Sequence, residues 1–402
     1  MTTLPLSGLR IIDTTTFIAG PSGTMALGQL GADVIRVDPL GGASDSGRLP
    51  LARNGRSLYW ASLNKGKRSL SIDTRSIEGR QLLVDVITSP GNGGGIYVTN
   101  AVGRSLVSYE ELSAIRPDLI MIHIQGMPDG GPAVDYTVSA GIGMASVTRS
   151  DSETLGVSQT VPTWDLLCGL HAALAVVVAE RQRQLTGVGQ LVEIALWDVA
   201  IAAIGNLGML AEVQASVSPE RVADGFIYGT FGTTFSAADG GSVLVVALTP
   251  RMWQDLVEVT DTTDDLAHLE ADLDVDFRDE ATRFEHRVEL ARILQGWFSA
   301  RHLNAIEHAL AETRIQWSVV RSVRSLVADL KKDMPDVIGT VNEPGMEAML
   351  ATKSPMRFSS AHRQNPAASP VLGQHTAQLL VELLHLDDKT IQDLAKRRII
   401  SA

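Results

Sequence analysis

A single cysteine, Cys168, is the only one in 402 residues. That excludes an intrachain disulfide framework and a Cys-rich zinc or iron–sulfur site, and it points to a reducing compartment, the cytoplasm. Long apolar runs are also lacking. The longest, from Leu166 to Ala179, carries His171 and falls short of the ~20 residues of a membrane-spanning helix, so no span is expected. The opening Met1-Thr2-Thr3-Leu4-Pro5 has neither the basic start nor the apolar core of a secretory leader. Positive charge is in deficit: 34 Lys and Arg against 46 Asp and Glu leave a net charge of −12. The overall field therefore repels nucleic acid and anionic membranes. There is no P-loop, no HExxH, no GxSxG elbow and no GxGxxG after the first apolar run, and the nine histidines show no ligand spacing, so no metal is assigned.

What is present alternates. Short β-like runs at Leu9–Asp13, Asp33–Val37, Ser69–Ile72, Ile96–Val98 and Leu119–Ile124 are interleaved with helical stretches at Ser22–Leu30 and Glu78–Thr88 and a helix start at Ser108. This is the pattern of a parallel sheet covered on both faces. The polar stretch Asp38–Leu58, with Arg48, Arg53 and Arg56, reads as a loop. Long helices are expected at Asp165–Gln184 and Asp198–Val213, on either side of a strand at Leu191–Ile194. From about Asp224 the chain turns Gly- and aromatic-rich, with a strand at Val243–Leu248 and helices at Arg283–Phe298, Asn304–Thr313 and Thr376–Leu384. The expectation is an α/β protein. A Rossmann-like large domain with a parallel sheet spans 1–224, a smaller α+β domain 225–335, and residues 336–402 are a linker returning to the large domain.

Asp165 follows Pro162-Thr163-Trp164 and opens a helix, where a carboxylate serves as an N-cap or as a nucleophile toward an acyl thioester. Cys168 and His171 in the same helix read as buried core residues. Lys65, Lys67, Arg68 and Arg75 surround one strand and Arg104 follows the next. They are either solvated charge or, at the carboxyl ends of parallel strands, a grip for phosphate.

Leu6-Ser7-Gly8-Leu9-Arg10, Ala19-Gly20-Pro21, Leu30-Gly31-Ala32-Asp33, Asn64 with Lys67-Arg68-Ser69, and Thr186-Gly187-Val188-Gly189-Gln190 together resemble the family III CoA-transferases. Asp38–Gly42, Leu63–Arg68, Asp129-Gly130-Gly131 with Val134–Val138, and Gly205–Met209 are similar to the branch that moves CoA between two carboxyls of one mesaconyl group. The resemblance implies an interlocked homodimer, an acyl-CoA substrate carrying its own CoA, and no separate cofactor. It puts the catalytic aspartate at Asp165 and CoA contacts at Ile18, Ile72, Arg75, Asn100, Ala101 and Arg104. Arg48, Arg53 and Tyr136 are candidates for holding a free substrate carboxylate, or else plain surface.

Two departures narrow the activity. The formyl-CoA transferase branch has glutamine where Ile18 stands and a tetraglycine loop that the region near Gly225–Gly229 lacks. The racemase branch needs a histidine where Val134 stands. The implied reaction is intramolecular transfer between C1 and C4 of mesaconyl-CoA. The alternatives are intermolecular transfer between a dicarboxylyl-CoA and another acid, and acyl-CoA binding without turnover.

Overall fold

The computed structural model describes residues 4–101, 107–147, 160–215, 224–333 and 336–401. The chain divides into two compact units: Met1–Met144, Ser158–Ser218 and Lys331–Ala402 form one, and Ala145–Val157 with Pro219–Leu330 form the other.

The larger unit is built on six parallel strands, β1 (Arg10–Asp13), β2 (Asp33–Asp38), β3 (Arg68–Ser71), β4 (Ile96–Thr99), β5 (Ile120–Gln125) and β6 (Gln190–Ala195), in the order β3-β2-β1-β4-β5-β6. The chain winds outward from β1 in one direction, then returns beside β1 and winds outward in the other. A crevice is thereby expected at the carboxyl ends of β1 and β4. Successive side chains alternate between two cores. Ile120, Ile122 and Ile124 of β5 enter one, and Met121 with Tyr97 of β4 enters the other.

The helices of this unit are α1 (Ala19–Gln29), α2 (Leu58–Leu63), α3 (Ile77–Thr88), α4 (Tyr109–Ile115), α5 (Asp135–Gly141), α7 (Thr163–Thr186), α8 (Leu196–Asn206) and α9 (Met209–Ala215), while the single turn α6 (Met144–Val147) falls, all but its first residue, in the other unit. Ser76 and Ser108 cap α3 and α4, their hydroxyls accepting from Gly79 and Glu111 N–H. The sheet is covered on one face by α1, α5, α7 and α8 and on the other by α3 and α4.

Helices α1 and α7 cross closely because both carry glycine at the contact. A Cβ on Gly23 would lie 2.3 Å from the Gly169 carbonyl oxygen. This crossing brings the amino-terminal ends of the two helices to the same edge of the sheet.

Several elements differ from expectation. No span was foreseen, yet α7 is, among the described residues, long and apolar enough to cross a membrane. Its inner face packs on α1 and the sheet, and Arg183, paired with Glu180, donates to the Gly94 and Asp118 carbonyls. The stretch expected as one helix at Asp198–Val213 bends by 61° between α8 and α9, where Gly208 takes φ +77°. His171, expected in the core, is exposed and bonds to the Leu167 carbonyl.

The second unit holds an antiparallel sheet of β7 (Phe231–Ser236), β8 (Ser242–Ala247) and β9 (Gln316–Val319), with α10 (Pro250–Val259), α11 (Thr263–Leu273), α12 (Glu280–Glu285), α13 (Arg287–Ser299) and α14 (Leu303–Ala311). Its core is aromatic: Phe235 stacks on Phe298 at 4.2 Å, and Phe231 meets Trp253 edge-on at 5.2 Å. The helix expected over Arg283–Phe298 breaks at His286, where α12 ends and α13 begins. After α15 (Val323–Asp333), the strands β10 (Ile338–Asn342) and β11 (Ala348–Thr352) pair antiparallel. Helices α16 (Thr376–Leu384) and α17 (Asp388–Lys396) then pack on the α3 face through Leu379, Leu380, Leu383, Ile391 and Leu394.

Candidate active site

A cavity of about 880 Å³ lies at the carboxyl ends of β1, β4, β5 and β6. Its walls are the turn Thr16–Ala19, Arg48 of the long loop, Asn100 and Ala101 after β4, the segment from His123 to Thr137, Glu193, Leu196 and Asp165. Six of the sequence candidates, Ile18, Arg48, Asn100, Ala101, Tyr136 and Asp165, therefore meet in one space. Ile72 does not: its side chain is fully buried in the core, and its backbone pairs with Ile400. Arg75 is exposed past the end of β3 and Arg53 is exposed in the long loop, both away from the cavity lining. Arg104 lies outside the described residues.

Asp165 is not the cap of its helix. The helix starts two residues earlier, and Asp165 is its third residue. The capping carboxylate comes from Asp135, 1% exposed, whose Oδ2 accepts from Trp164 N–H at 2.8 Å and Asp165 N–H at 3.1 Å. The orphan amides of α7 are thus satisfied by an acid at the start of α5. The Asp165 carboxylate is left free, with no hydrogen-bond donor among the described residues. Burial pushes its pKa up, the Asp135 charge adds to the rise and Arg48 opposes it, giving about 7. Burial also raises Asp135, against the pull of the two amides it caps.

The turn after β1 presents backbone donors. Thr15 N–H bonds to Asp13, Thr16 N–H to Asn100 Oδ1 at 3.0 Å and Phe17 N–H to Asp45 Oδ2 at 2.8 Å. The following amides, Ile18 and Ala19, have no acceptor among the described residues and line the cavity. Phe17 takes φ +68°, a left-handed conformation that costs a non-glycine residue energy and is commonest at functional sites. Asn100 also donates from Nδ2 to the Thr16 carbonyl at 3.0 Å, so its amide clasps the turn.

Arg48 lies against the rings of Phe17 at 5.4 Å and Tyr59 at 5.0 Å. No carboxylate among the described residues pairs with it. Tyr59, which sequence reasoning did not single out, has a buried hydroxyl with no hydrogen-bond partner. Burial, ahead of the opposing Arg48 charge, pushes its phenol up to about 12. The unpaired Arg48 guanidinium, which lines the cavity, is suited to a carboxylate ligand, whereas Tyr59 packs on it without lining the cavity. On another wall, His123 Nε2 lies 3.1 Å from the Ala101 carbonyl and so carries the proton. Gln125 bridges His123 Nδ1 at 3.3 Å and Glu193 Oε1 at 2.6 Å.

Lys67 and Arg68, near β3, are neither solvated surface nor a phosphate grip at this cavity. Lys67 is buried and bonds to Asp13, Thr24, Asn64 and the Pro21 carbonyl. Arg68 pairs with Asp33 and Glu382. Cys168 is buried, and burial pushes its thiol up to about 12, which makes it inert. Among the described residues no cluster of His, Cys, Asp or Glu has the arrangement of a metal site.

Residues 6–376 match the model of CoA-transferase family III. The chain is 40% identical over 400 residues to 2-methylfumaryl-CoA isomerase of Chloroflexus aurantiacus, covering 98% of each chain. It is 26% identical to succinyl-CoA:mesaconate CoA-transferase of Haloarcula hispanica, over 94% of this chain and 96% of that one. Among solved structures, a CaiB/BaiF family protein from Brucella suis shares the fold, with TM-score 0.77 and 24% identity over 95% of this chain and 100% of that one.

Proposed function

The chain belongs to CoA-transferase family III, and from that premise we propose that it moves coenzyme A between the C1 and C4 carboxyls of one mesaconyl (2-methylfumaryl) group. The observation that carries this reading is the free Asp165 carboxylate, raised to about 7, in a cavity that also holds the unpaired Arg48 guanidinium. Near neutral pH such a carboxyl is ionised often enough to attack and basic enough to be a competent nucleophile.

Asp165 attacks the C1 thioester carbonyl, expelling CoA thiolate and leaving an aspartyl-mesaconyl anhydride. The thiolate attacks the aspartyl carbonyl, which gives an aspartyl-CoA thioester and frees mesaconate. The C4 carboxylate of that mesaconate attacks the aspartyl thioester, expels the thiolate again and forms the second anhydride. Thiolate attack at the C4 carbonyl yields the C4 thioester and restores Asp165. Each tetrahedral oxyanion is met by the Ile18 and Ala19 amides, and Arg48, backed by the Tyr59 ring, holds with Tyr136 the carboxylate not reacting. The pantetheine arm runs past Ile18, Asn100 and Ala101, and Arg75 beyond β3 is left for the phosphates. CoA arrives as part of the substrate, with no separate cofactor.

A second copy of the chain completes the assembly in this reading. Along α7 a stripe of Leu166, Leu170, Leu174, Val178 and Leu185 is 39%, 55%, 59%, 55% and 70% exposed, too apolar to face water. Light scattering on the purified protein should give a dimer. The single buried cysteine fits a cytoplasmic setting.

The direct test is incubation with C1-mesaconyl-CoA and no added acid, with chromatography of the products beside Asp165→Ala. Formation of the C4 isomer by the wild type alone, without uptake of labelled free mesaconate, supports the intramolecular reading. Turnover only after an acceptor acid is added makes the enzyme an intermolecular transferase. No covalent trapping at Asp165 by hydroxylamine leaves a binding protein.

A further inference from the structure

Besides Asn100, the turn that offers the Ile18 and Ala19 amides is held by groups that do not line the cavity. Asp45 is 1% exposed; its Oδ2 accepts from Phe17 N–H at 2.8 Å and its Oδ1 from Arg36 Nη2 at 3.2 Å. Arg36, fully buried, is also gripped by Asp38 through Nε at 3.1 Å and Nη2 at 2.9 Å, bonds to Asn64 Oδ1 at 3.3 Å and lies over the Trp60 ring. Asn64 Oδ1 in turn accepts from Lys67, which reaches Asp13, and Asp13 holds Thr15. The network touches the turn on both sides of Thr16, and Asp45 is the contact at the one residue with left-handed backbone.

Asp45 also belongs to the loop that carries Arg48. Its carbonyl accepts from Arg48 N–H at 3.2 Å. One carboxylate therefore ties the carboxylate-binding loop to the amide-bearing turn.

We infer that Asp45 is a positioning residue for CoA transfer: by bonding Phe17 N–H it holds the turn in the left-handed conformation that aims the Ile18 and Ala19 amides at the reacting carbonyl, in register with Arg48. This rests on the oxyanion role given to those amides above. Buried charge pairs commonly serve stability or specificity alone, so a matched control is needed. Asp38 provides it, because it is as buried as Asp45 and grips the same Arg36 but does not touch the turn. Loss of Asp45 leaves Arg36 paired with Asp38, so the protein keeps a compensated guanidinium and folds.

The experiment measures kcat and KM on whichever acyl-CoA the wild type turns over, for Asp45→Ala, Asp45→Asn and Asp38→Asn. A wild type without turnover refutes the function proposed above; the comparison among variants judges the role of Asp45. Asp45→Ala should lower kcat roughly 10- to 100-fold, the scale of a misaimed oxyanion donor, with KM within about threefold. Asp45→Asn keeps an acceptor for Phe17 N–H and should recover most of kcat, and Asp38→Asn should lower the melting temperature with kcat within about threefold. Phe17→Gly supplies the second arm, since glycine takes positive φ without a tether. In that background the kcat cost of Asp45→Ala should shrink at least about fivefold. Equal kcat losses in Asp45→Ala and Asp38→Asn, an unchanged kcat in Asp45→Ala, or strict additivity with Phe17→Gly each overturn the inference.

Discussion

Replacing Asp165 by asparagine should abolish transfer and stabilise the protein, and the stabilisation should itself depend on pH. The Asp165 carboxyl is raised from its ordinary 3.8 to about 7, chiefly by burial and then by Asp135. Below about pH 4 the group is protonated in both folded and unfolded chains, and the substitution changes little. As pH rises through the range between the two pKa values, the unfolded chain ionises freely while the folded one resists. Above the folded pKa the full cost of the buried charge is present. The rise corresponds to a ceiling of roughly 4 kcal/mol at 1.36 kcal/mol per pH unit, which partial solvent access reduces to about 1–3 kcal/mol. At the usual unfolding entropy per residue this is a gain of about 1–4 °C for a chain of this size. Calorimetry of wild type and Asp165→Asn between pH 5 and 8.5 reads it directly. The difference in melting temperature should open with rising pH and level off above about pH 8. In parallel, wild-type kcat/KM should fall on the acid side with an apparent pKa near 7. A melting difference that is flat with pH, or a wild-type rate unchanged from pH 5.5 to 8, would refute the placement of a free, elevated carboxylate in the cavity.

Asp135→Ala removes the cap of α7, which costs about 0.5–2 kcal/mol, and removes a negative neighbour. The acid limb of residual activity should therefore move to lower pH, as a pH–rate profile would show. Arg48→Ala has the opposite sign: the cation that lowers Asp165 is gone, so the limb moves to higher pH. Its kcat/KM on a dicarboxylyl-CoA should fall roughly 10- to 100-fold, the worth of a charged hydrogen bond, while attack on a monocarboxylyl-CoA, followed as hydroxylamine trapping, changes far less. Gly169→Ala places a methyl 2.3 Å from Ser22 Oγ and 2.5 Å from the Ala19 carbonyl. Scanning fluorimetry should show a melting point lowered by several degrees, and the surviving enzyme should be impaired because the two helix starts are forced apart.

The sheet was legible because each strand is a short apolar run closed by breakers. Leu119–Ile124 reads as buried on both faces and is so, His123 excepted. The long loop was legible as well: from 39 to 57 no helix or strand forms, and Arg48 emerges from it into the cavity. Partnerships across distance were not. Asp165 reads as a cap because aspartate before an apolar helix usually is one, whereas the real cap comes from 30 residues upstream, and no local pattern announces it. Lys67 reads as surface or as a ligand grip because charge is usually solvated, and Arg36 inside its strand carries no signal at all, because their partners Asp13, Asp38 and Asp45 are supplied by three separate segments. The buried hydroxyl of Tyr59 left no signal, since an aromatic residue in an apolar stretch reads as core. Ile72 shows the limit of a resemblance carried over by position alone, because its side chain points into the core.

The clasp of Asn100 on Thr16 has a consequence for what this sheet can accept. With one acceptor and one donor turned to the same peptide segment, the side chain behaves like one more rung of the β1–β4 ladder, added past the point where the strands diverge. Sheets of this strand order ordinarily open there, and a dinucleotide pyrophosphate enters between the first turn and its helix. Here the Asn100 side chain ties the first turn to the end of β4, and the Ile18 and Ala19 residues that follow line the cavity instead of closing it. The tie fixes one wall of the cavity as firmly as a strand pairing would, and Asp165 stands on that same cavity.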